Sequence, residues 1–230
     1  MTSIVVVSSD DATDPTGAME LVGGARRLAE AVHGSVIAVI PRMRSHERGE
    51  QLIAHGADVV INVEHPWLAE YESDCMLPVL EQICERNLPR LILMEADSHG
   101  HDLAARLALR LGGSFVNNST GVSIIQEEIN ATKPIHGGRA TVTLVPRNFP
   151  IVVTVRRTSF QPGVPDGTQT GDVQTLEPRF DHDPRKVRLV ERASDDSRER
   201  VNLETARVVV SGGRGMKGPE HFAQLEALAR

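Results

Sequence analysis

A chain of 230 residues with 40% hydrophobic and 24% charged side chains is long and apolar enough to bury one sizeable α/β core without metal or disulfide. An aromatic content of 3% argues against a base-stacking surface, and a net charge of −6 leaves no basic excess for tracking phosphates along a nucleic acid. The opening residues, MTSIVVVSSDD, have neither a charged leader region nor a long apolar run, and no later run has the length to cross a bilayer; the expected setting is the bacterial cytoplasm, or the mitochondrial matrix in a eukaryote, without membrane insertion.

Short β-branched runs alternate with helical patterns through the first half, the signature of a parallel sheet wrapped by crossover helices on both faces. Ser3 to Ser8 reads as a strand. The following stripe of Leu21, Ala25, Leu28 and Val32 reads as a helix stopped at Gly34. Val36 to Ile40 is a second strand, Ser45 to Gly56 a short helix, and Asp58 to Val63 a third strand. A helix over Asp74 to Asn87 leads to a fourth strand, Arg90 to Glu95. After it Leu103, Leu107 and Leu111 line one helical face that ends at Gly112-Gly113.

The rhythm then changes. GVSIIQEE, the run RATVTLV from Arg139 and IVVTVR from Ile151 read as strands with turns between them and no long helix. These late strands are expected to extend the main sheet in antiparallel fashion. From Thr158 to Asn202 the chain is rich in Pro, Gly, Asp, Arg and Thr, with one strand-like piece at Lys186 to Val190, and reads as a connector. A new βα start follows: Ala206 to Val210 as strand, Ser211 to Pro219 as loop, and a helix carrying Phe222, Leu225 and Leu228. The expected organisation is therefore a main domain over 1–157, a linker over 158–204, and the opening of a second domain over 205–230.

Cys75 and Cys84 lie nine residues apart in the helix over 74–87, on opposite faces, which disfavours a shared metal or disulfide. Cys84 falls on the apolar side with Leu77 and Leu80. Asp97-Ser98-His99-Gly100-His101-Asp102 has the residue types of a metal cluster. It lacks the spacing of a two-His, two-Asp zinc site, and capping of the Leu103 helix accounts for it; the alternative is a nucleotide loop at the end of a parallel strand. Asp10, Asp11 and Asp14 resemble a cation-binding loop, but an acidic turn leading into Pro15 at a helix start explains them with less.

The loop SGGRGMKG sits between an apolar strand and a helix, where backbone N–H groups and the helix dipole favour a phosphate. Its glycines admit close backbone approach, and Arg214 and Lys217 are cationic donors for a diphosphate or flavin edge. The competing reading is a tight βα turn with solvated charges. Gly213, Gly215 and Gly218 also fit a dinucleotide GxGxxG pattern. The acidic residue required about 20 positions further on, however, would lie beyond residue 230.

Arg207 to Gly218 with Glu220, His221 and Phe222 resembles the signature of the electron-transfer flavoprotein α subunit, also known as FixB-like. SHGHDLAARLALRLGG from Ser98, KPIHGGRATVTL from Lys133 and IVVTVRRTSF from Ile151 resemble further segments of that family, in the same order. The resemblance implies an N-terminal domain of nucleotide α-hydrolase-like, Rossmann-like fold and a C-terminal domain that holds FAD, here present only as its first βα unit. It further implies pairing with a β subunit, and electron traffic from acyl-CoA or related dehydrogenases of fatty acid β-oxidation to a quinone reductase or other acceptor; such a chain is an electron carrier and not an enzyme. The implied cofactor site falls on Ser211, Gly212, Gly213, Arg214, Gly215 and Lys217, with Arg214 reaching the flavin and no catalytic or metal residue. The alternatives are a flavin-free subunit that acts as an interaction module and a nucleotide-dependent α/β enzyme using the loops at Asp10 and His99.

Overall fold

A computed structural model describes residues 2–8, 16–41, 46–68, 72–187, 190–191 and 208–229. The chain divides into two units, Met1–Val187 and Arg188–Arg230.

The first unit starts with β1 (Ser3–Val7), α1 (Thr16–Glu30), β2 (Ser35–Pro41), α2 (His46–Ala54), β3 (Val59–Val63), α3 (Ser73–Asn87), β4 (Leu91–Glu95) and α4 (Ser98–Arg110). It continues with β5 (Ser114–Ser119), β6 (Gly121–Ile125), β7 (Glu128–Ile135), β8 (Ala140–Leu144), β9 (Ile151–Val155) and β10 (Asp172–Leu176). Seven strands form one sheet in the order β10-β3-β2-β1-β4-β9-β5, and every neighbouring pair is parallel. The β-branched runs make strands because alternate side chains must be buried on opposite faces. Ile4 and Val6 join a core cluster with α1 and α2, whereas Val5 and Val7 join a second cluster with α3 and α4. Helices therefore cover both faces, as the alternation of elements predicts.

The late strands depart from expectation. IVVTVR does not lie antiparallel at an edge: β9 inserts between β4 and β5, parallel to both. A parallel pair needs a crossover of a dozen or more residues. Between β5 and β9 that crossover is the small antiparallel sheet β6-β7-β8, where a helix would ordinarily stand. Ile129 and Ala131 of β7 seat this sheet on the α1 side of the core.

The segment read as connector also divides differently. Residues 158–187 belong to the first unit, because β10 pairs with β3 in register Asp172↔Val59 and two aromatic residues anchor the chain on either side. Phe160 packs on the α1 cluster and Phe180 on the α3–α4 cluster. Phe180 lies edge-on to His65, with ring centroids 4.9 Å apart, and Arg185 stands 4.8 Å over Trp67. Of the strand-like piece at Lys186 to Val190, Lys186 and Val187 are irregular, and Arg188 and Leu189 lie outside the described residues.

Both cysteines are buried in the α3–α4 core as free thiols, Cys75 included. The lysine backbone N–H of Lys186 donates to Asp74 Oδ2 at 3.1 Å, so the end of the 158–187 segment crosses the first turn of α3 and covers the face that helical spacing alone leaves open.

In the second unit the described residues hold two short 3₁₀ turns, Arg214–Met216 and Pro219–Phe222, and α5 (Ala223–Ala229). Val208 to Val210 form no strand; no partner strand exists for them among the described residues of that unit, and Val208 is 80% exposed.

Candidate functional site

The loop at 211–217 folds as one compact turn. Met216 N–H donates to Gly213 O at 2.9 Å, Lys217 N–H to Arg214 O at 3.2 Å and Gly218 N–H to Met216 O at 3.0 Å. This closes a single 3₁₀ turn over Arg214–Met216. Lys217 stands at φ 65°, in the left-handed region that reverses the chain, and Pro219 opens the next turn. Ser211, Gly212, Gly213, Arg214, Gly215 and Lys217 are all exposed and share this one turn.

The glycines differ in kind. A side chain at Gly212 would meet Leu225 Cδ1 at 2.7 Å and Met216 Cγ at 2.9 Å, so that glycine serves the packing of the turn on α5. A side chain at Gly213 or Gly215 would meet nothing within 4 Å. Open space there is what a backbone needs if a phosphate or ring edge is to approach it. The residues fit one wall of a flavin site: two cations, a hydroxyl and uncrowded backbone. They do not fit the whole, because none of the described residues 208–229 is buried and an isoalloxazine ring needs an apolar slot.

The second candidate region lies at the carboxyl ends of β1 and β4, where the strand order reverses. There Asp97 caps α4, its Oδ1 accepting from Gly100 N–H at 2.7 Å, as the capping reading of the Asp97–Asp102 cluster requires. His99 is half-buried, and His101 and Asp102 are exposed. Among the described residues no group of three His, Cys, Asp or Glu side chains could hold a metal ion. Asp10, Asp11 and Asp14 lie outside the described residues, as does Arg207 of the signature loop.

The structure adds a residue that pattern reading passes over. Glu95, the last residue of β4, turns inward; Ser8 Oγ donates to its Oε1, and its carboxylate rests on the first turn of α1 at Gly17. Burial pushes the Glu95 carboxyl above its ordinary range, with Asp97 and Glu20 adding to the shift and the Ser8 hydroxyl and Arg157 opposing it. The signal for it was present as an acidic end to an otherwise apolar strand, RLILME.

Comparison with known proteins gives a consistent result. A family model described as electron transfer flavoprotein domain matches residues 4–180. The electron transfer flavoprotein subunit alpha of Thermoanaerobacterium thermosaccharolyticum is 31% identical over 214 residues, covering 92% of this chain and 64% of that protein. The subunit of the same name from Megasphaera elsdenii is 31% identical over 206 residues, covering 88% and 61%. Protein FixB of Azotobacter vinelandii is 28% identical over 218 residues, covering 92% and 60%. The chain thus spans about three fifths of the length of these relatives.

Proposed function

This chain belongs to the electron transfer flavoprotein family, and from that premise we propose that it is an α-type subunit that pairs with a β-type subunit and helps to hold an FAD, through which electrons pass from acyl-CoA or related dehydrogenases to a quinone reductase or other acceptor. The flavin supplies the redox chemistry; the protein orients it and sets its electrostatics. The observation that carries the reading is the turn at 211–217, with open backbone at Gly213 and Gly215 flanked by the exposed cations Arg214 and Lys217. In this reading Arg214 is a fixed positive charge beside the flavin, favouring any state in which the ring gains negative charge. Ser211 and the backbone of Gly212 to Gly215 orient the bound group, and Lys217 adds a flexible donor for its phosphates.

The test is flavin content. Co-expressed with a β-type subunit, the protein is expected to co-purify as a heterodimer that releases FAD on acid treatment, and Arg214→Ala is expected to lower the FAD recovered or weaken its retention on dilution. Wild-type heterodimer free of flavin overturns the reading.

A second reading is a flavin-free subunit that acts as an interaction module. What favours it is the lack of any buried side chain among the described residues 208–229. A colourless heterodimer is its expected outcome.

A further inference from the structure

The edge strand β5 carries an irregularity that its neighbour β9 lacks. Val116 stands opposite Val153 and Ser119 opposite Val155, so three steps along β5 answer two along β9. The extra residue is a bulge, which breaks the strict alternation of faces and re-aims side chains. Asn118 takes up the change at φ 57°, in the left-handed region that asparagine enters more readily than most residues. Its backbone N–H donates to the hydroxyl of the fully buried Thr154 at 2.8 Å, which fixes the bulge to the core.

Two cations reach that bulge from opposite sides. Lys133 of β7 donates from Nζ to Asn117 Oδ1. Arg156, the residue after β9, donates from Nε to Asn118 Oδ1 at 2.8 Å. Their backbones flank one stretch of chain: Arg156 N–H donates to Ser119 O at 2.9 Å, and Thr120 N–H donates to Thr132 O, beside Lys133, at 2.8 Å. The two residues are thus about two strand spacings, roughly 10 Å, apart at the backbone, a gap that two long side chains can close on one ligand.

The free hydrogen-bonding groups give the sign of that ligand. Lysine and arginine only donate, so both asparagine oxygens must face them and both Nδ2 groups must face away. The remaining protons of Lys133 Nζ, the terminal nitrogens of Arg156 and the two Nδ2 groups have no acceptor among the described residues. Glu20 and Glu95 line a small cavity beside Arg156, but Arg157 is the cation that offsets the Glu95 charge, and Glu20 accepts from Thr158 N–H at 2.7 Å. Two positive charges therefore stand with neutral partners at the carboxyl ends of two parallel strands, surrounded by unused donors.

We propose that Asn117, Asn118, Lys133 and Arg156 form a binding site for a phosphate group. Arg156 supplies a planar fork for two of its oxygens, Lys133 a point charge, and the asparagine amides the flanking donors. The site lies wholly in the first unit, and its occupation is independent of the flavin.

In the test, the whole chain is titrated with inorganic phosphate and with glycerol phosphate at constant ionic strength, with chloride as the control, while the side-chain amide signals of Asn117 and Asn118 are followed by NMR. Saturable shifts at both residues are expected with phosphate and none with chloride. Tighter binding of the ester identifies a phosphorylated metabolite as the source of the group, and equal binding the free anion. Lys133→Gln and Arg156→Gln each keep a donor for the neighbouring asparagine and are each expected to weaken binding about tenfold, the loss of one charge-assisted hydrogen bond. The double variant is expected to abolish binding while its circular dichroism spectrum stays that of wild type. No saturable shift in the wild-type chain, shifts that chloride reproduces, or shifts that survive in the folded double variant overturn the proposal.

Discussion

Replacing Gly100 by alanine separates a packing role from a ligand-binding one at the Asp97–Asp102 loop. In an exposed helix the change would stabilise by about 1 kcal/mol. Here the new Cβ would fall inside the van der Waals envelope of the Glu95 carbonyl oxygen, 3.1 Å from its carbonyl carbon and 3.2 Å from Asp97 Oδ1. The crowding atoms are backbone and cap, which no rotamer change can move. The start of α4 must lift away, and the cap bond from Gly100 N–H to Asp97 Oδ1, 2.7 Å in the fold, is strained or lost. Overpacking of this kind costs about 1–3 kcal/mol and a lost cap about 1 kcal/mol, against a propensity gain of about 1 kcal/mol. Net destabilisation of about 1–3 kcal/mol is expected, read as a lower urea midpoint with unchanged slope in unfolding followed by circular dichroism. If Gly100→Ala matched or exceeded wild-type stability, the close approach of α4 to β4 would be refuted, and a glycine kept for ligand access would become the better account.

Further predictions test other parts of the fold. Burial raises the thiols of Cys75 to about 11 and Cys84 to about 12, so a chromogenic disulfide reagent is expected to label neither until denaturant is added; rapid labelling of Cys75 would show that residues 180–186 do not cover α3. The hydrogen bond and charge of Arg106 hold Asp74 below its ordinary value of 3.8, so its contribution is present above that value and lost as pH falls through the folded one. Asp74→Asn is therefore expected to lower the urea midpoint at neutral pH and to converge with wild type in strong acid. Limited tryptic digestion of the whole chain is expected to leave an N-terminal fragment that still contains β10 and runs past Arg185 and Lys186 to the end of the first unit; a stable fragment ending near Arg157 would contradict the pairing of β10 with β3.

The first four βα repeats are legible in the sequence because each strand is a short apolar run between polar turns and each helix carries an apolar stripe such as Leu103 and Leu107. The place of β9 is not legible, since a parallel and an antiparallel neighbour ask for the same alternation of Ile151, Val152 and Val153; only the crossover through β6-β7-β8 decides it. Residues 158–187 have the composition of a connector, yet Phe160 and Phe180 at its two ends each find a core to join. That is a tertiary effect invisible to local pattern. The turn at 211–217 is legible as a loop from its glycines and Pro219, but the residue that reverses the chain is Lys217, at φ 65°, which no glycine pattern points to. Glu95 is harder to find, since a single carboxylate after an apolar strand looks like a solvated strand end until the fold sets it against Gly17.

Electron transfer itself tests the central claim most directly. With the β-type subunit bound, an acyl-CoA dehydrogenase and its acyl-CoA substrate are added without oxygen while the flavin absorbance of the heterodimer is followed. The account predicts bleaching that depends on both additions, slows in Arg214→Ala and reverses when an electron acceptor is supplied. A heterodimer whose flavin stays oxidised with every such dehydrogenase tried, or that carries none, would contradict it.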